Sequence, residues 1–369
     1  MRQMRPRALV LACSLAVLCA AQPAHAADPG RWIVTGTSSV PATYRQGLAN
    51  DGQSLFFSGS FEGLTRTSLT LKQQAQNPNA IPPDVKQREQ YNHQGDIAWD
   101  SAEGGRLLLP WESNAPFQPD TNPAKTGSIG VADPVTLKLR YYLKLDPAEI
   151  AKAMWIATDT HGLFWTIANA DLLAYRLSDV GPANAAPNGP VIHSVLRFPG
   201  VAPDGAGGAA YLAGRLYMST QSNGTERIFS VDTTTGAVQP EVERAGTDEP
   251  EGMDVGPYLG GILHWEMVPG GGLSNAEVVN LLPMGAPLRL KVTPRVRANK
   301  AAKVRATVVA AAIGFRVPLG GVQVKLGGKS AKTDASGHAT LKVKLTRGSY
   351  RAQAFYKGLR TASARVRAT

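Results

Sequence analysis

The sequence is poor in cysteine: it has two, Cys13 and Cys19, both near its start. Beyond them no disulfide, thiol nucleophile or thiolate metal site can form. Acid is missing from one end, since residues 286–369 hold 19 Lys and Arg and the single acid Asp334. After the opening segment no apolar run approaches the ~20 residues of a membrane span. Helical periodicity is scarce, and the one clear candidate is short, Asp146-Pro147 through Ala153. No GxSxG elbow and no HExxH occurs. Gly327-Gly328-Lys329-Ser330 imitates a phosphate loop, but the first glycine of that motif would fall at Gln323. These absences remove the common nucleophile and zinc-protease chemistries.

What is present begins with a secretory signal. Arg2, Arg5 and Arg7 precede the apolar stretch Ala8–Ala21, and Ala24-His25-Ala26 is a small-x-small cleavage site. The alternative, a lipid anchor on Cys13, leaves too little apolar core ahead of the cysteine. Cleavage after Ala26 would give a cysteine-free mature protein with no transmembrane segment, secreted or periplasmic. Charge then divides the chain: residues 27–285 carry 17 basic and 27 acidic side chains, whereas 286–369 are at +18. So abrupt a change marks a domain boundary. Three segments are expected: signal peptide 1–26, an acidic domain 27–285 and a basic domain 286–369.

A single pattern recurs along the acidic domain. A glycine leads alternating apolar residues, then a turn, then a tight apolar strand, as in QGLANDGQSLFFSGS, QGDIAWDSAEGGRLLLPWES and EGMDVGPYLGGILHWEMV. Anchored on Leu55, Leu108, Leu163, Leu216 and Ile262, the copies are 53, 55, 53 and 46 residues apart. A hairpin-rich unit of about 50 residues is the signature of a β-propeller blade. The fold class is therefore all-β: a five-bladed propeller, six-bladed if Trp32–Ser38 and the last strand complete another unit. Lys72–Tyr91 reads as an insertion loop, and Asn223-Gly224 as a hairpin turn.

In a propeller the first strand of each unit lines the axis. Aligning on glycine places Gln46, Gln94, Pro199 and Glu251 at equivalent positions, with Asp96 and Asp254 following. The candidate polar cluster at the channel mouth is His93, Gln94, Asp96, Glu112, Glu251 and Asp254. Oxygen ligands of this kind suit Ca²⁺, and His93 with Asp96 and Glu251 would accept another divalent cation. Such an ion could activate water against an ester, lactone or phosphoester. The plainer reading is a hydrogen-bonded polar network. Trp111-Glu112 and Trp265-Glu266 also admit a glycosidase with paired carboxylates. His193 alternates with Val191 and Val195 and reads as a strand residue, and His161 sits in a turn at the opposite end of its strand pair.

From Pro287 short alternating strands follow one another, as in LRLKVTPRVRA, AKVRATVVAAA, ATLKVKL and ASARVRA, which fits a small Ig-like β-sandwich. Its charge suits polyanions, an anionic envelope polymer or acidic polysaccharide, through Lys291, Arg295, Arg297, Lys300, Lys342, Lys344 and Arg347. Few aromatics are available to stack on bases, so dedicated nucleic-acid recognition is not expected. Docking of the acidic domain against the basic one is a further option.

The run GVQVKLGGKSAKTDASGHATLKVKL resembles bacterial Ig-like and carboxypeptidase-regulatory-like modules of secreted proteins. Residues 44–281, with EGMDVG and the five strand-pair echoes, resemble secreted propellers of the gluconolactonase-like (SMP-30-like) and olfactomedin-like kinds. The gluconolactonase resemblance implies a divalent cation in the channel and lactone or ester hydrolysis, with Glu251 and Asp96 as positional candidates. Two functions stay open: an envelope-associated binding protein tethered by its basic module, and a metal-dependent extracellular hydrolase.

Overall fold

The structure is a computed structural model that describes residues 32–61, 63–113, 126–202, 206–271 and 275–369. The expected signal peptide lies outside these residues. Strands dominate, in many small antiparallel sheets. Five of the sheets follow one another along residues 32–283. The first runs Gly47–Asn50, Ser54–Ser58, Leu64–Ser68 and Gln73–Asn77. The second has a two-piece inner strand, His93–Gln94 and Ala98–Asp100, on Arg106–Glu112, then Ser128–Ala132 and Leu139–Lys144. The third runs Ala157–Thr158, Leu163–Ala168, Asp171–Arg176 and Leu196–Phe198. Gly208–Leu212, Arg215–Ser222, Thr225–Asp232 and Val238–Ala245 make the fourth.

The fifth sheet runs Glu249–Val255, Leu263–Val268 and Ala276–Pro283, and is completed by Trp32–Val40 from the other end of the domain. The region around Trp32 thus closes the last sheet and forms no sheet of its own. Innermost strands of the five sheets touch one another in a closed ring, a propeller-like arrangement. Separate apolar cores fill the spaces between neighbouring sheets, built around Phe56 and Trp111, Phe164 and Tyr175, Trp165 and Leu216, and Tyr44 and Phe57. Turn chemistry follows the sequence. Asn223 and Gly224 both have positive φ, 52° and 72°, closing a two-residue hairpin between Ser222 and Thr225.

Two local expectations need correction. Asp146–Ala153 holds a turn, because Glu149 is drawn into hydrogen bonds with Ser194 and Tyr175. Among the described residues the α-helix lies instead at Pro83–Glu89, inside the segment read as a loop. Pro83 sits at its first position, Asp84 in its first turn, Lys86 and Arg88 near its end, and Gln90 caps it in the left-handed conformation. Among the described residues no helix is long and apolar enough to cross a membrane.

Residues 288–368 form two further sheets. One joins Leu288–Val292, Ala301–Ala312, Phe315–Pro318 and His338–Lys344; the other joins Arg295–Val296, Ala362–Ala368, Gly348–Phe355, Gln323–Leu326 and Lys329–Lys332. Burial alternates strictly along His338–Lys344, placing Ala339, Leu341 and Val343 inside and the polar residues out. The core between these sheets runs on into that of the fifth sheet through Leu288, Leu282 and Trp32. The Tyr356 hydroxyl donates to the Thr35 carbonyl at 3.0 Å and Gly285 N–H to the Gly358 carbonyl at 2.6 Å. No ion pair joins the acidic and basic regions among the described residues. Apolar packing, backbone hydrogen bonds and the Tyr356 hydroxyl make that contact.

Candidate functional site

The ring of inner strands closes on one side chain, Asp96. Its Oδ1 accepts the N–H of Leu48 at 2.9 Å, and its Oδ2 accepts those of Ala209 at 3.0 Å and Met253 at 3.1 Å. Its own backbone bonds to Met154 and Ile156 beside the third sheet. One residue therefore ties all five sheets together. Burial pushes its carboxyl pKa well up, and the three N–H groups pull it back. The other sheets make room with glycine: a Cβ on Gly47 would lie 2.4 Å from the Asp96 Cα, and one on Gly208 2.8 Å from its Oδ2. Asp96 stands where the neighbouring strands carry glycine. Aligning on Gly95 therefore misses the equivalence by one residue, and Pro199-Gly200 precedes the true inner strand of the fourth sheet.

Around this hub lie two more carboxyls. Glu266 is fully buried, and among the described residues neither of its oxygens has a hydrogen-bond partner. Burial raises its pKa well above the usual range, reinforced by Asp96 and Glu251. Glu251 is likewise raised, by burial and then by Glu249, against a hydrogen bond from Gln46. The Gln46 Oε1 and Thr166 Oγ1 are also buried without partners among the described residues. The sequence pairs Glu266 with Glu112 as a glycosidase candidate; the structure sets it opposite Gly252, in the position that Ser58 and Ser219 take in other sheets.

The remaining channel-mouth candidates divide. His93 Nδ1 lies 2.9 Å from Glu112 Oε1, opposite it across the strand pair, at an angle poor for a hydrogen bond. Gln94 is fully buried, donating to the Gly63 carbonyl at 3.1 Å and accepting the Trp111 indole N–H at 3.2 Å. Asp254 lies beyond Asp96 in the other direction along the axis. Its Oδ2 accepts the Tyr258 hydroxyl and the Asn50 amide, each at 2.6 Å, and burial raises its pKa to about 7. Asp96, Glu251 and Glu266 thus come together, while His93 with Glu112 forms a separate pair and Asp254 faces a different opening.

At the Asp254 end the inner strands open into a cup of about 470 Å³, lined by Asn50, Trp99, Thr158, Tyr211, Asp254 and, from the basic region, Phe315. Sequence reasoning missed these except Asp254, because the lining comes from strand ends rather than their polar beginnings. A second cavity of about 560 Å³ runs along the basic region beside Arg289, Lys291 and Arg316. A third, about 600 Å³, lies between the acidic and basic regions at Tyr258 and Leu319. Neither Glu112 nor Glu266 lines any of these three cavities, so none of them holds the Trp-Glu pairs across a sugar. Away from the axis, Asp146, Glu149 and His193 form a cluster with ligand-type atoms within 4.8 Å of one another. His193 Nδ1 stands 2.9 Å from Asp146 Oδ2, while both Glu149 oxygens accept bonds from Ser194 and Tyr175.

The basic residues also sort by sheet. Register places Lys291, Lys342 and Lys344 on one outward face, joined by Arg289, Lys303, Arg305 and Arg316, with Lys303 directly opposite Lys342. Arg295 lies on the other sheet beside Arg367, where Arg351 also faces Arg365. Arg297, Lys300 and Arg347 are exposed in the connections.

No family model matches the chain, and no curated protein does. The propeller-like arrangement recurs among solved structures at low similarity. A gluconolactonase from Xanthomonas campestris is 15% identical, with a TM-score of 0.38 over 71% of this chain and 94% of its own. A 6-phosphogluconolactonase described as putative, from Bacteroides fragilis, is 11% identical, with a TM-score of 0.32 over 80% of this chain and 72% of its own. The extracellular domain of a one-component system from B. thetaiotaomicron is 12% identical, with a TM-score of 0.32 over 88% of this chain; the chain spans 43% of that protein's length. Likenesses this slight concern the propeller-like arrangement alone.

Proposed function

We propose that this chain is an exported binding protein, a five-bladed β-propeller over 27–285 joined to an Ig-like β-sandwich over 286–369 that tethers it to an anionic polymer. One observation carries the tether. Like charges stand directly opposite each other, Lys303 against Lys342 and Arg351 against Arg365, with no carboxylate among them. Directly opposed like charges are destabilising in a sheet, so such faces suit a partner that brings negative charge. The single acid, Asp334, is occupied by the N–H groups of Ser336 and His338. The groove beside Arg289, Lys291 and Arg316 offers a polymer a track at the edge of the same face.

Full-length protein is expected to be retained on immobilised polyphosphate at low salt and released as salt screens the contact, since the Debye length falls to about 3 Å at 1 M. Combined replacement of Lys303, Arg305 and Lys342 by alanine should weaken retention roughly tenfold or more, each cation contributing to counterion release. A wild-type protein that flows through at low salt would sink the tether.

The hydrolase reading keeps one supporting observation, the unpartnered buried carboxylate of Glu266 beside Glu251. Glu251, Glu266 and the Gln46 Oε1 carry oxygen atoms of the kind a hard cation takes, and are the groups that would hold one. Asp96 has both oxygens engaged by backbone N–H groups, and His93 is turned to Glu112. A bound cation would supply Lewis acidity to an ester, lactone or phosphoester. The chain itself would place the two carboxyls and keep bulk water out, and because burial favours their neutral form a cation would have to displace their protons. Metal analysis of purified protein with and without chelation tests this, and a metal-free protein with unchanged melting temperature rejects it.

A further inference from the structure

The cup at the Asp254 end of the axis is built from segments distant in the chain. Its lining takes Trp99 from the second sheet, Tyr211 from the fourth and Phe315 from the basic region, together with Asn50, Asp51 and Asp254. Small residues, Ala98, Ala157, Ala209 and Ala210, complete the lining, and the Trp99 ring is stacked on Phe56 at 6.0 Å. Among the described residues no Lys or Arg lines it, although the protein as a whole is at +11. Arg316, next to Phe315 in sequence, is exposed and projects from the opposite side of its strand. At about 470 Å³ the cup is in the range of small-molecule sites, ~300–1,000 Å³.

We propose that this cup is a binding site for a small organic cation of the quaternary ammonium type, held by the Trp99, Tyr211 and Phe315 rings and by the Asp254 carboxylate. Aromatic faces attract a cation through their quadrupole, most strongly where water is excluded. Two carboxylates with no basic residue reject phosphates and carboxylates. Bulky methylated ammonium groups, weakly hydrated, lose little on entering the apolar wall. The Asp254 carboxyl, desolvated among Asn50, Tyr258 and the inner strands, is the group that a cation would relieve. Because Phe315 belongs to the C-terminal sandwich, the site is complete only when the acidic and basic regions are docked.

The site is independent of the polyanion faces and is tested separately. Titration calorimetry and tryptophan fluorescence on the full chain would compare choline with 3,3-dimethylbutan-1-ol, which has the same shape without the charge. Choline is expected to bind roughly tenfold or more tightly than the neutral alcohol, the difference that the charge supplies. Asp254→Asn and Phe315→Ala should each lower choline affinity about fivefold or more, with circular dichroism confirming the fold, while Lys303→Ala leaves it unchanged. Equal affinity for the two probes, no choline binding at millimolar concentration, or tighter binding of a neutral disaccharide would each overturn the proposal. Polyphosphate retention is expected to survive the Phe315 change, so failure here is distinguishable from failure of the tether.

Discussion

Replacing Asp96 probes the architecture more directly than any other change. In Asp96→Ala the N–H groups of Leu48, Ala209 and Met253 lose their acceptor in a fully buried place. Each orphaned donor costs about 1–3 kcal/mol. Relief of the buried carboxyl's desolvation offsets much of the sum, leaving roughly 4 kcal/mol after that correction. Asp96→Asn is milder. Its carbonyl can still face Ala209 and Met253, but its amide then meets the Leu48 N–H, donor against donor, for about 1–3 kcal/mol. A unit of this size shifts its melting temperature by roughly 2–4 °C per kcal/mol. The alanine variant should therefore melt about 8–16 °C lower and the asparagine variant about half as far. Urea and thermal unfolding followed by circular dichroism measure both. The reasoning is refuted if Asp96→Ala unfolds within ~0.5 kcal/mol of wild type, or if the asparagine variant suffers as much as the alanine one.

Other expectations follow from the same geometry. The folded-state pKa values of Asp254, Glu251 and Glu266 are raised, so their contribution to stability is full at low pH and is lost as pH rises through those values, near 7 for Asp254. His264 runs the other way: burial lowers it to about 4, so stability present above its ordinary value near 6.5 is lost as pH falls through 4. Three carboxyls outweigh one imidazole, so the urea midpoint should fall from about pH 4 towards neutrality, and one that climbs steadily to pH ~9 contradicts this. Glu266→Gln should flatten the alkaline limb and leave stability in mild alkali equal or higher. Gly207→Ala should prevent or severely weaken folding, since its Cβ would fall 1.8 Å from the Pro250 carbonyl oxygen; a soluble variant with wild-type melting would disprove the close approach. Lys342→Glu, facing Lys303, should add about 0.2–1 kcal/mol of stability while reducing polyphosphate retention.

Much of the fold was legible in the residues. The anchors Leu55, Leu108, Leu163 and Leu216 all fall in the second strands of successive sheets, and Ile262 falls one residue before the next. Turn chemistry at Asp133, Asp232 and Asn223-Gly224 is local and readable for that reason. Asp146–Ala153 departs from its helical expectation because tertiary bonds to Glu149 outweigh a short helical preference.

By itself the sequence determined what depends on period and composition: strand repeats, hairpins, alternation in 286–369 and the reversal of charge near residue 285. Tertiary structure alone decided what depends on closing the ring. It made Asp96 a shared acceptor for three strands, left Glu266 without a partner, turned His93 toward Glu112 and set Phe315 in the wall of a cup begun by Asn50. Those outcomes arise from contacts between segments far apart along the chain. The neighbours of a polar group, and hence its charge state and chemistry, exist only once distant strands have met.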